Sequence, residues 1–249
     1  FMWTPKVAQQ RYKQMLDYMY GPGDYGVFNV TVYNGQGLNA QETNSDKHVG
    51  VRTSWPFELP GGRLMEVGVN AMRGIYTVNN GTCTTGSTSI CGLNESRTAT
   101  NKGYLDERAD FYVYYPPQPW GFIAEYVVGR GPKRGADGIV RESHLYGGYV
   151  QGHYQWKYSD VGLANVYARW QEYHGGVKFN TAAADGKMNE VELGVAWQPD
   201  PQFEFTTAYT FTNRINGFNT TPNASATSPG QQVDAYGNLL RFQAIWFWN

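Results

Sequence analysis

Arginines and carboxylates recur at alternate positions within short runs of this chain. Arg52 stands in "HVGVRTSWPF", Glu66 in "MEVGVNA", and Arg108 and Asp110 in "RADFYVYY". Glu190 and Glu192 stand in "NEVELGVAW" and Glu204 in "FEFTTAYTF"; Glu125, Arg169 and Arg241 complete the set. Two kinds of chemistry suit such residues. A planar guanidinium grips phosphate or carboxylate solutes through two hydrogen bonds. It also pairs with a carboxylate on a neighbouring strand and holds the wall in shape. With six acids beside four arginines, both roles stay open. Arg130, Lys133, Arg134 and Arg141 crowd a separate stretch, "GRGPKRGADGIV", which reads as a polar loop able to gather anions.

Covalent chemistry finds little purchase. His48, His144, His153 and His174 fall in no metal-ligand spacing, so no metal is expected. "CTTGSTSIC" is too long for haem attachment, and no other cofactor is expected. Ser143 and His144 are neighbours on a strand, where successive side chains point to opposite faces, so they cannot act directly as nucleophile and base. "GRGPKRG" lacks the strand-to-helix setting of a phosphate loop. The chain is therefore expected not to be an enzyme. A net charge of -1 gives no footprint for nucleic acid.

The elements that position these charges are strands. Alternating runs fall at about 11–20, 25–34, 47–58, 63–76, 104–115, 120–129, 143–157, 163–174, 187–198, 202–212 and 238–248. In each, one face is apolar and the other polar, charged or small. Val191, Leu193, Val195 and Trp197 oppose Glu190, Glu192, Gly194 and Ala196, for example. A packed soluble barrel would turn its apolar face inward. With 39 aromatic residues in the chain (19 Tyr, 8 Trp, 12 Phe) but a mean hydropathy of -0.53, the apolar face is instead expected to meet lipid and the polar face to line water. No stretch approaches a membrane-spanning helix.

Connections sort by length. "LPGG", "PPQP", "SDVG", "PDPQ" and "GPGD" are tight; the intervening loops are long and polar, the largest over 77–103 and 213–237. Short turns on one side and long loops on the other are the pattern of a bacterial outer-membrane barrel. Trp55, Phe57, Tyr115, Trp120, Trp156, Trp197, Phe203 and Trp248 gather beside the short turns, as an aromatic girdle at the headgroup level does. Cys83 and Cys91 flank a polar loop segment, and a short disulfide fits an oxidising compartment. The whole chain, 1–249, reads as one all-β domain, a transmembrane antiparallel barrel of ten to eleven strands.

An odd count conflicts with the even strand number of single-chain bacterial barrels. Residues 7–19 as a helix would restore parity, since "KVAQQRYKQML" holds good helix formers. Loss of N-terminal strands would also explain it and is the preferred reading, because "GPGD" makes a short turn between two strands. No signal peptide opens the chain, so it is expected to be mature or part of something longer.

"YNGQG" (33–37), "VRTSWPFELPGGRLMEVGVNAMRGIY" (51–76), "YARWQEY" (167–173) and "LLRFQAIWFW" together resemble the phosphate-selective porin family of bacterial outer membranes. The resemblance implies a sixteen-stranded, homotrimeric channel seated in outer-membrane lipid and passing small solutes or ions. The mixed charges on the inner face argue against carrying over a phosphate preference. Two rivals remain: a barrel acting as sheath or anchor for another component, and a soluble all-β binding module.

Overall fold

The computed structural model describes residues 1–16, 26–36, 44–78, 102–135, 140–178, 183–219 and 231–247. Its strands form one antiparallel sheet in sequence order: β1 (Met2–Trp3), β2 (Phe28–Asn34), β3 (Lys47–Leu59), β4 (Arg63–Val78), β5 (Lys102–Tyr115), β6 (Trp120–Arg134), β7 (Val140–Lys157), β8 (Leu163–Val177), β9 (Ala184–Asp200), β10 (Phe203–Asn219) and β11 (Gln231–Trp246). Each pairs with the next, and no pairing among the described residues joins β11 to β1. Among the described residues one α-helix, α1 (Lys6–Met15), lies between β1 and β2 in the chain.

The two faces separate as the alternation requires. On β9, Val191, Leu193, Val195 and Trp197 are 40–50% exposed, whereas Glu190, Glu192 and Ala196 are at most 7% exposed. Here the charged face is the covered one and the apolar face is bare, the reverse of a soluble sheet. We call the apolar face outward and the charged face inward.

Turn chemistry explains the tight connections. Between β3 and β4 the chain turns through Pro60, Gly61 and Gly62, with both glycines at positive φ (82° and 74°), a conformation other residues adopt at a cost. Between β9 and β10, Asp200 Oδ1 accepts the Gln202 amide at 2.9 Å, an Asx turn. Between β5 and β6, the Gln118 side chain replaces a strand. Its Oε1 accepts the Leu64 N–H at 3.0 Å and its Nε2 donates to the Leu64 carbonyl at 3.1 Å.

Three expectations change. Residues 11–20 do not open with a strand: α1 covers Lys6–Met15, as the helical alternative had it. Ala8, Tyr12 and Met15 fall at helical spacing and are buried against the inward face with Leu64 and Tyr114. The period-2 pattern read there was a coincidence of a 3.6-residue period. A two-residue strand, β1, pairs with β2 instead. "GPGD" lies outside the described residues.

The strands also run further than the alternation of apolar residues indicated. Thr77 and Val78 belong to β4 and Lys102 and Gly103 to β5, β10 continues to Asn219, and β11 starts at Gln231. The loops over 77–103 and 213–237 are correspondingly shorter. A 17-residue strand such as β9 rises on the order of 43 Å along the normal at ~3.3 Å per residue and ~40° tilt. That exceeds the ~30 Å hydrocarbon layer. Above the layer the outward face need not be apolar, so the signal fades while the hydrogen-bonded ladder continues.

A charged inner wall as candidate functional site

β3, β4 and β5 bring together the first cluster. Arg52, Asn70 and Asp110 are cross-strand partners in one row. Arg52 Nη2 reaches diagonally to Glu66 Oε1 at 3.0 Å, and Nη1 donates to Asn70 Oδ1 at 3.3 Å. The Tyr112 ring lies under the guanidinium, 4.9 Å from centroid to Cζ, and its hydroxyl donates to Glu66 Oε1 at 2.6 Å. Asn70 Nδ2 donates to Asp110 Oδ1 at 2.7 Å. From α1, the Tyr12 hydroxyl shares a 2.8 Å hydrogen bond with Ser54 and lies 3.5 Å from Glu66. Glu66 is fully covered. Arg11 anchors the helix to the Pro56 carbonyl at 3.1 Å and to Glu58 at 3.2 Å, beside the first short turn.

The second cluster spans β7 to β11. Arg169 donates twice to Gln151 Oε1, at 2.9 and 2.6 Å, and lies over the rings of Tyr149 (5.5 Å) and Tyr167 (6.0 Å). Its hydrogen-bond acceptor is thus a neutral amide. Glu192, its cross-strand neighbour, is engaged elsewhere: it accepts Tyr167 at 3.0 Å and Thr210 at 2.9 Å, with Arg241 at 3.5 Å. Higher on the same strands, Glu190 accepts Gln171 at 2.6 Å, Thr212 at 2.5 Å and the Nε–H of Arg214.

A third cluster lies toward the long-loop end. Asp106, fully covered, meets Arg108 Nε at 3.1 Å, His48 Nε2 at 3.5 Å and the Lys178 ammonium. Lys178 stands just past the end of β8. Burial pushes its ammonium below the usual lysine range, and the Asp106 carboxylate opposes that shift.

The remaining expected residues distribute as follows. Glu125 lies on the inward face between Tyr112 and Tyr149, its cross-strand partners. Glu204 accepts Thr206 at 3.3 Å. The four cations of the expected basic loop do not converge. Arg130, Lys133 and Arg134 belong to β6 and Arg141 to β7. Lys133 faces Asp185 at 3.5 Å, Arg134 is buried, and Arg141 is exposed. Arg130 shares the outward face with Tyr126 and Val128. A strand of Gly and Pro reads as a loop, yet β7 pairs with it along its whole length.

Aromatic rings line the short-turn edge. Tyr115 stacks on Phe122 at 5.7 Å, Trp120 meets Tyr154 at 4.5 Å, and Phe203 stacks on Trp246 at 5.9 Å. Trp197 donates to the Tyr158 hydroxyl at 2.8 Å. Trp55, Phe57 and Trp156 stand at the same edge, with Phe57 and Trp156 exposed. Trp248, Cys83 and Cys91 lie outside the described residues.

Sequence reasoning missed Tyr12, Tyr112, Asp106, Gln151 and Arg214. Asp106 and Arg214 share the parity of their inward-facing neighbours, Asp110 and Thr212, so extending the alternation would have found both. Tyr112 falls on the polar face of "RADFYVYY" by the same alternation, but neither it nor Gln151 carries a charge that would single it out.

A tall antiparallel sheet, bare and apolar outside and charged within, defines the wall of an outer-membrane porin-type protein. The model of the family described as phosphate-selective porin O and P matches residues 6–229, and the chain belongs to that family of the bacterial outer membrane. Comparison with curated protein sequences gives no match. Among solved structures, the chain is similar to in-vitro folded OmpT, an outer membrane protein of Vibrio cholerae, at 13% identity and a TM-score of 0.38, covering 89% of this chain and 64% of that one. It is similar also to outer-membrane expressed OmpT of Vibrio cholerae, at 13% identity and a TM-score of 0.36, covering 99% and 75%. The chain thus spans less than two thirds of the first of these.

Proposed function

We propose that these strands form part of a closed transmembrane barrel, sixteen-stranded and trimeric as the family resemblance implies, through which small hydrophilic or ionic solutes diffuse passively. No bond is made or broken in transit. The observation that carries this reading is the inward face, where Arg52–Glu66, Arg241–Glu192 and Arg214–Glu190 set opposite charges side by side. Such a wall presents water-like partners to a polar solute without a strong field of one sign. Neutralised arginines speak for weak charge selectivity; a dedicated anion filter would need them unpaired.

Cys83 and Cys91 form a disulfide on this reading, closing an outer loop. Mass spectrometry tests it: both thiols labelled before reduction would refute the bridge. The channel itself is tested in planar bilayers. Discrete conductance steps in potassium chloride, with anion and cation permeabilities within a few-fold of each other, are expected. A silent protein would instead support the sheath or anchor role.

A further inference from the structure

The outward face carries a charged row of its own. Arg73, Glu107 and Arg130 are successive cross-strand partners on β4, β5 and β6, opposite His144 on β7. Arg73 is 74% exposed in its side chain and lies 3.8 Å from Glu107. Arg130 is exposed and makes no hydrogen bond or ion pair among the described residues. Glu107 thus stands between two guanidiniums and, among the described residues, pairs with Arg73 alone.

Height places this row. Glu107 is eight residues along β5 from Tyr115, and Arg130 eight along β6 from Phe122, the ring pair of the short-turn edge. Eight residues at ~3.3 Å and ~40° tilt climb roughly 20 Å, close to the ~25 Å apolar band of such barrels. The row therefore sits at the upper edge of the band, at the headgroups of the outer leaflet.

A groove of about 480 Å³ opens from the row, where Val49, Arg73 and Glu107 line it, and runs beneath it over Val51, Ala71, Ala109 and Val128. Small residues at the centre and valines on the flanks make a depression in the apolar face, where an acyl chain would pack.

We propose that Arg73 and Arg130, with this groove, bind a phosphate-bearing lipid of the outer leaflet. The guanidiniums take the phosphate bidentately and the groove takes a chain. A second copy of the chain fits less well. Docking protein there would desolvate Arg130 with no partner, and charges are depleted from interface cores. The site rests on the orientation proposed above, with short turns at the inner side.

The test titrates the protein, purified in detergent, with bisphosphorylated lipid A and reads bound lipid by native mass spectrometry. Wild type should bind at least tenfold more tightly than Arg73→Gln/Arg130→Gln. Ala109→Trp, which fills the groove and leaves the charges, should also lose the lipid. Phosphatidylcholine of matched chains should bind weakly and alike to all three. Undiminished binding by both variants, or phosphatidylcholine as tight as lipid A, overturns the proposal. So does displacement of lipid A by 10 mM inorganic phosphate, which would indicate a free-anion site. A copy-to-copy crosslink through cysteine at Ala109 assigns the face to a second copy instead. Thiol accessibility, described below, reads the orientation independently, so failure of lipid binding in a correctly oriented protein sinks this site alone.

Discussion

The guanidinium of Arg52 meets the fully covered carboxylate of Glu66 at 3.0 Å, diagonally across β3 and β4. Breaking such a pair strands a buried charge and costs about 3–5 kcal/mol, whereas replacing both partners by apolar residues is often neutral. Arg52→Met should lower the unfolding free energy by about that amount, and Arg52→Met/Glu66→Leu should recover most of it. Denaturant unfolding in micelles measures both. A double variant as unstable as the sum of the singles would reject the pairing.

Arg169 leans on an amide, not a carboxylate. Its charge should reach the solute path more fully than that of Arg52 or Arg241. Arg169→Gln is expected to shift the reversal potential in a potassium chloride gradient toward cation preference, more than Arg241→Gln does. Equal shifts would show that hydrogen-bond partners do not decide which charge is felt.

Leu193 is half exposed on the outward face of β9. Arginine there should cost about 2–4 kcal/mol near the bilayer midplane. Gln243→Arg, on the inward face of β11 and exposed, should be nearly neutral. Gly194 is a poor inward control because the Tyr167 ring covers it. Refolding yield and unfolding in lipid vesicles report the difference, and equal tolerance at the two sites would contradict the facing.

Lys178 lies outside the membrane-crossing part of the wall and touches Asp106. Its ammonium is depressed by burial, so the unfolded chain holds its proton to higher pH than the folded one. Stability from this group therefore rises with pH in the window below the usual lysine value of about 10.4. Asp106→Asn removes the opposing carboxylate, lowers the Lys178 value further and widens that window downward. Acylation of Lys178 at pH 9, followed by mass spectrometry, should be faster in Asp106→Asn. An unchanged or slower rate counts against the contact.

Orientation is open to labelling. In a Cys83→Ser/Cys91→Ser background, a cysteine at Ser45, between β2 and β3, should react with an impermeant maleimide on intact cells. A cysteine at Asp160, in the tight turn between β7 and β8, should react only after lysis. The reverse pattern would invert the sheet.

The period-2 alternation of "NEVELGVAW" was enough to place Leu193 outward and Glu192 inward, because successive strand residues must point apart whatever surrounds them. Turn residues such as Gly61, Gly62 and Asp200 likewise act within a few bonds, so the short connections were legible. Pairing was not. Arg52 could have reached Glu66 or Asp110 equally, and only the cross-strand register sets the diagonal that joins it to Glu66 while Asn70 takes Asp110. Arg130 looked like a loop cation until β7 paired beside it and turned it outward. The helix α1 hid behind a false alternation, and its seat came from Tyr12 finding Ser54, 42 residues away in the chain. Local stereochemistry is written residue by residue; contacts between distant strands exist only once the sheet has assembled and chosen its register.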